Sequence, residues 1–410
     1  KATPMDLILA SGILAIAGFF GGLAARKIKF PTISGYIIIG ILLSLLNVIP
    51  RELVSGKLNV ITDVALGIIA YLVGGSLNLK SLKKFGKDII LITPFQALGA
   101  WILVSLLIAF LGPFIVSFKG SNSNFYQTHL PMAIVIGAIS CATAPAATMA
   151  IIHEYRAKGP LTTTLLGVVA LDDAFCIVAY AVASSIAGAL ITSLKNISLY
   201  QMLIFPVFDI AGSILLGVAF GFGLIYISRF AKIRHRLLVV VFGMILLCTG
   251  LTKILGISSL LANMAIGFIV VNKMKNSENM FKVIDDIEDI IFAMFFTLSG
   301  LHFDLGVMKA AGMIAILIFI GRCIGKLEGT RIGASISDAP ATVRKYLGFG
   351  LLPTAGVAVG LAILTEQHPA FSIIGSIMVN AILASVIINE LIAPPLTKYA
   401  LFKAGEATMT

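Results

Sequence analysis

The sequence predicts an all-α integral membrane protein of about thirteen transmembrane helices, on three observations. Hydrophobic residues make up 59% of the 410-residue chain and charged residues 12%, with a mean hydropathy of +1.04. A soluble globule is nearer 45–50% apolar and about one-quarter charged. Apolar runs of the roughly 20 residues that a helix needs to cross a bilayer recur from end to end. None alternates with the period of a barrel strand, so the backbone must satisfy itself as helix. This composition excludes a soluble enzyme, a disordered chain and a nucleic-acid binder. The net charge of +11 then belongs to basic cytoplasmic loops.

The spans fall at 5–25, 31–47, 60–77, 88–113, 131–152, 161–188, 202–228, 236–254, 257–271, 283–301, 307–330, 341–364 and 370–394. The first is unlike a signal peptide, because its basic cluster Arg26-Lys27-Lys29 follows the apolar run. Loop charge supports the order. Odd-numbered loops and the C-terminal tail hold 21 Lys and Arg, densest at Lys80–Lys87 and Arg229–Arg236, and the N-terminus and even-numbered loops hold 7. By the positive-inside rule the N-terminus lies outside and the C-terminus in the cytoplasm. Asp285, Asp286, Glu288 and Asp289 open the tenth span, where acidic side chains favour the helix dipole. Cys141, Cys176, Cys248 and Cys323 each lie in an apolar run and read as packing residues, with no disulfide or zinc spacing.

The two basic residues outside the loop count, Arg322 and Lys326, lie in the eleventh span, and Asp172 and Asp173 lie near the middle of the sixth. A charge at the bilayer centre costs about 2.5–3.5 kcal/mol on insertion scales, so such residues persist facing water or a partner. Adjacent helix positions point about 100° apart. One Asp can therefore meet a cation while the other meets Arg322 or Lys326. That division suits a carrier in which one carboxylate swaps a proton for a cation and the other is held charged.

Pro145 interrupts the fifth span and Pro353, with Gly356, the twelfth. Proline lacks a donor and frees the carbonyl four residues earlier, here that of Cys141 for Pro145. The prolines are 208 residues apart, and the same offset carries Asp172 onto Asn380 in the last span. Spans 4–6 and 11–13 are thus matching three-helix units seven spans apart. An odd separation inserts them with opposite topology, the inverted repeat with discontinuous helices that secondary transporters use.

With these pieces in order, CATAPAATMA, LDDAF, DDIEDIIFAMFFTLSGLHFDL, GRCIGKLEGTRIGA and KYLGFGLLPTAGVAVGLAIL, the chain resembles the sodium/proton exchangers and Kef-type potassium/proton antiporters. These form the second branch of the monovalent cation:proton antiporter superfamily. The resemblance implies the Na⁺/H⁺ antiporter fold with two crossing discontinuous helices. It implies that Asp173 is the ion- and proton-binding carboxylate, Asp172 the neighbour found in electrogenic members, and Thr143 an assistant at the crossing. It divides the chain into scaffold and dimerisation helices at 1–80 and 236–301, a linking helix at 202–228, and transport-core helices at 88–190 and 307–399. It implies exchange of Na⁺, with Li⁺, for H⁺ by elevator-type alternating access. The protein would be a homodimer in a prokaryotic inner or plasma membrane, serving pH homeostasis, with no cofactor, no catalytic residue, no nucleic-acid partner and no nucleotide-sensing domain in this chain. Electrogenic members usually place Lys opposite the first Asp. The alignment puts Arg322 there, with Lys326 one turn on. Arg322 as partner would keep its proton and favour electroneutral exchange; Lys326 could release its own.

Lesser residues read as structural. Asp63, Asp209, Glu328 and Glu390 lie toward span ends and read as interfacially solvated, His302 as a satisfied histidine, and Glu154, Arg156 and Lys158 as a solvated loop. Two other functions are disfavoured. An intramembrane aspartyl protease needs two Asp facing each other, and no GxGD occurs. A potassium channel needs a TVGYG-like filter, which is absent. A K⁺/H⁺ antiporter of Kef type and a sodium-coupled organic-solute symporter on a similar fold remain open alternatives.

Overall fold

A computed structural model describes residues 6–27, 32–54, 56–82, 86–118, 124–192, 199–231, 233–354 and 356–407. Lys29, Lys83, Lys84 and Lys232 of the basic loops lie outside the described residues. In chain order the α-helices are α1 (Leu7–Lys27), α2 (Thr32–Leu45), α3 (Arg51–Val54), α4 (Asn59–Ser76), α5 (Leu79–Leu82), α6 (Lys87–Ile115), α7 (His129–Ile139), α8 (Pro145–Glu154) and α9 (Pro160–Thr192). They continue as α10 (Leu199–Ser228), α11 (Arg234–Leu255), α12 (Ser259–Lys273), α13 (Glu278–Lys282), α14 (Asp285–Leu301), α15 (Met308–Ile336), α16 (Ala341–Gly350), α17 (Gly356–Gln367) and α18 (Gly375–Lys403). Two 3₁₀ turns complete the regular structure of the described residues, and no strand occurs among them. Eight described helices are long and apolar enough to cross a membrane, and α2, α7, α12 and α17 are shorter apolar helices.

The chain forms two compact units. The first comprises Lys1–Leu79 and Ile204–Asp304, the second Lys80–Leu203 and Leu305–Thr410. In the first, helices approach through glycines. A Cβ on Gly74 or Gly267 would strike the backbone of the opposite helix where α4 crosses α12. Ile68, Tyr71, Ile245, Ile266 and Val270 pack into its core, and Tyr71 donates its hydroxyl to the Met280 carbonyl at 3.1 Å. Asp63 pairs with Lys253, and Asp209 accepts the Ser258 amide at 2.8 Å, at the start of α12.

The second unit is held by α6 against α15. Gly321, Gly325, Gly329 and Gly333 recur every four residues, so they line one face of α15. A Cβ on Gly325 would meet the Gly99 carbonyl and Ala100 Cα of α6, and one on Gly329 the Phe95 carbonyl and Gln96 Cα. The stripe lets the two backbones touch. One position on from the first three glycines, Arg322, Lys326 and Thr330 form a parallel stripe, all buried.

The interrupted spans are two helices each. The fifth becomes α7 and α8, and the twelfth becomes α16 and α17. Pro145 is the first residue of α8, where its missing N–H costs nothing. The two breaks meet: the Ala144 amide donates to the Pro353 carbonyl at 2.8 Å, and Thr148 Oγ1 to the Gly350 carbonyl at 3.1 Å. One expectation is corrected here. Glu390 is not at a span end: α18 runs to Lys403, so Glu390 sits mid-helix and is buried.

Candidate functional site

Every residue of the candidate site belongs to the second unit. Asp172 and Asp173 lie near the middle of α9, both buried. The breaks supply backbone oxygen. After α7 ends at Ile139, Ser140 and Cys141 form a turn and Ala142 to Ala144 lie outside any helix, and the segment after α16 reaches Pro353 and Thr354. The last carbonyls of a helix lack partners along the chain and carry the negative end of its dipole.

Two cations meet those carbonyls, and they divide the work. Lys326 Nζ lies 3.0 Å from Asp172 Oδ2, with both side chains fully buried. It also donates to the Cys141 carbonyl at 2.7 Å, to Thr143 Oγ1 at 2.7 Å and to Gln96 Oε1 at 2.9 Å. The Cys141 carbonyl is the one that Pro145 releases, so the sequence-level break and the ammonium are complementary. Among the described residues Arg322 makes no ion pair. Its guanidinium donates to the carbonyls of Ser140, of Ala142 at 2.9 Å and of Leu352 at 3.0 Å. The expectation that Arg322 partners Asp172 is therefore corrected: Lys326 does. The reason is shape. A planar fork with five donors spans several carbonyls from two chain segments, whereas an ammonium is a point charge suited to one carboxylate and its near neighbours.

Asp172 is saturated. Thr143 Oγ1 and Lys326 sit on its Oδ2, and Gln96 Nε2 donates to its Oδ1. Thr143 also reaches the Leu351 carbonyl of the second break at 3.2 Å. Asp173 differs. It is 8% exposed, and its Oδ1 is buried with no hydrogen-bond partner among the described residues. Burial without a partner is costly for a carboxylate, so this oxygen is available to a proton or a cation.

Of the remaining expected residues, Cys141 directs its thiol at the Ala97 carbonyl, 3.3 Å away, and acts in the site through its carbonyl. Gly356 opens α17 beyond the second break. Asn380 is fully buried on α18 and donates to the Ser376 carbonyl at 2.8 Å. Gln96 was not anticipated, although an amide deep in the apolar run of α6 was a visible signal. Among the described residues no group of three His, Cys, Asp or Glu could hold a resident metal ion. The donors here are hard oxygens, suited to a passing hard cation.

A family model described as sodium/hydrogen exchanger, transmembrane, matches residues 12–403. The chain belongs to that family. It is a family of membrane transporters and not of catalysts. The exchanger is 26% identical over 415 residues to the Na⁺/H⁺ antiporter NhaS4 of Synechocystis, covering 95% of this chain and 96% of that one. It is 22% identical over 415 residues to the K⁺/H⁺ antiporter subunit KhtU of Bacillus subtilis, with 94% and 93% coverage. Its fold matches that of the sodium proton antiporter MjNhaP1 from Methanocaldococcus jannaschii at pH 8, with a TM-score of 0.75 and 19% identity over 97% of this chain and 99% of that one.

Proposed function

We propose that this exchanger trades Na⁺, with Li⁺ as an accepted congener, for H⁺ across a prokaryotic inner membrane, and that Asp173 is the carboxylate on which the two compete. The observation that carries the reading is the contrast between the two acids. Asp172 has every oxygen engaged, whereas Asp173 Oδ1 is buried and unpartnered. A carboxylate oxygen holds a proton or a cation but not both, which makes binding exclusive and transport an exchange. Thr143 and the carbonyls of the two breaks are the oxygens from which further ligands would come.

The first unit would serve as scaffold and homodimer contact, with α10 as the link. The second would move as the carrier in an elevator-type cycle, the N-terminus outside and the C-terminus in the cytoplasm. The inverted repeat and the concentration of buried charge in the second unit support this division. The test is dequenching of a pH-sensitive dye in proteoliposomes on adding Na⁺, Li⁺ or K⁺. Dequenching by Na⁺ and Li⁺ that is lost in a folded Asp173→Asn variant is expected. A response to K⁺ alone would move the reading to potassium exchange, and undiminished exchange by Asp173→Asn would remove Asp173 from the site.

A further inference from the structure

Gln96 is fully buried and uses its whole amide. Oε1 accepts from Lys326 Nζ at 2.9 Å, while Nε2 donates to Asp172 Oδ1 and to the Thr93 carbonyl at 3.1 Å. One neutral group thus grips both members of the ion pair. An amide is suited to this, since it carries an acceptor and two donors at fixed separation. The glycine stripe of α15 puts it there: Gly329, three residues from Lys326, packs on the Gln96 backbone.

Lys326 has three protons and four acceptors around it, namely Gln96, Cys141, Thr143 and Asp172. Its charge also acts on Asp173, whose Oδ1 is open. The protein's own ammonium is therefore a competitor for the seat on Asp173. We infer that Gln96 is a positioning residue that holds Lys326 on Asp172 and so keeps Asp173 free for the transported cation. This rests on Asp173 being the exchange carboxylate. Without Gln96, Lys326 loses one of the acceptors that hold it beside Asp172 and can turn toward Asp173, so cation affinity falls.

The test is Gln96→Met, which keeps length and approximate volume but neither hydrogen bond. Na⁺-driven exchange in proteoliposomes and Na⁺-dependent thermal stabilisation of purified protein are both read, the second reporting binding whatever the turnover. Loss of the bond that restrains Lys326, taken as about 1.4 kcal/mol, corresponds to about a tenfold rise in apparent KM and in the Na⁺ needed for half-stabilisation. Gln96→Glu keeps an oxygen facing Lys326 but sets its second oxygen against Asp172 Oδ1, so it should raise the apparent KM less than Gln96→Met while lowering the melting temperature through like-charge repulsion. If Gln96→Met has the wild-type KM, or if both variants raise it equally, the inference is overturned. A wild-type protein showing neither Na⁺ exchange nor Na⁺ stabilisation would instead sink the Asp173 reading.

Discussion

Replacing Lys326 by Met leaves the Asp172 carboxylate buried at 0% exposure without a counter-charge. Breaking a buried ion pair from one side typically costs about 3–5 kcal/mol. Gln96 and Thr143 still donate to Asp172 in the variant, and hydrogen bonds to a charged group are worth about 1.5–3 kcal/mol each. The expected loss therefore lies near the lower figure, about 3 kcal/mol. Adding Asp172→Asn removes the stranded charge, so most of that loss should return. Arg322 is the control. Arg322→Met orphans the carbonyls of Ser140, Ala142 and Leu352 and strands no carboxylate. Its cost, about 1–3 kcal/mol for each carbonyl left buried, should not be relieved by Asp172→Asn. The assay is thermal melting of detergent-solubilised protein by fluorescence-detected size exclusion, for the three single variants, the two double variants and wild type, read as two double-mutant cycles. A stabilising effect of Asp172→Asn on Arg322→Met and none on Lys326→Met would refute the assignment of partners.

Three other outcomes are expected. Protons compete at Asp173, so the apparent KM for Na⁺ should rise as pH falls, approaching about tenfold per pH unit once the acid is mostly protonated; a KM flat from pH 8 to about pH 5 would count against a shared carboxylate. Because Lys326 and not Arg322 pairs with Asp172, a second proton can be released per cycle, so an inside-negative potential should drive Na⁺ outward in proteoliposomes, and indifference to potential would indicate electroneutral exchange. Gly325→Val places methyl groups against the Gly99 carbonyl and Ala100 Cα, which cannot yield as a side chain can, so destabilisation of at least about 3 kcal/mol is expected in the same melting assay.

The breaks were legible because Pro145 and Pro353 fall mid-span at matching places 208 residues apart; proline alone is not decisive, since Pro94 and Pro113 lie within α6 and Pro394 and Pro395 within α18. The pairing of Asp172 was not legible. Arg322 and Lys326 are one turn apart on one face, and which of them meets the carboxylate of α9 and which the carbonyls of the two breaks depends on contacts between segments far apart in sequence. Gln96 escaped notice for a related reason: an amide in an apolar run gains significance only once its two neighbours are known. Glu390 was misplaced because hydropathy falls at Lys398 while the helix continues to Lys403.

The arrangement of charge explains why both cations are needed. Two helices end at the breaks, and each C-terminal end carries about half a negative charge. Arg322 spans carbonyls of both ends, so its single positive charge is matched by the pair of them together. It is not available to neutralise a carboxylate. Lys326 is matched by Asp172. With those two accounts closed, the negative charge of Asp173 is the one left over. In the proposed cycle Asp173 carries a proton or a monovalent cation in turn, and Lys326, unlike Arg322, can supply the second proton. Removing Arg322 would free the half-helix ends to draw on Lys326 instead, and the distinction between a held acid and an exchanging acid would be lost. On this account the guanidinium contributes to exchange without touching the ion, by keeping the ammonium committed to Asp172.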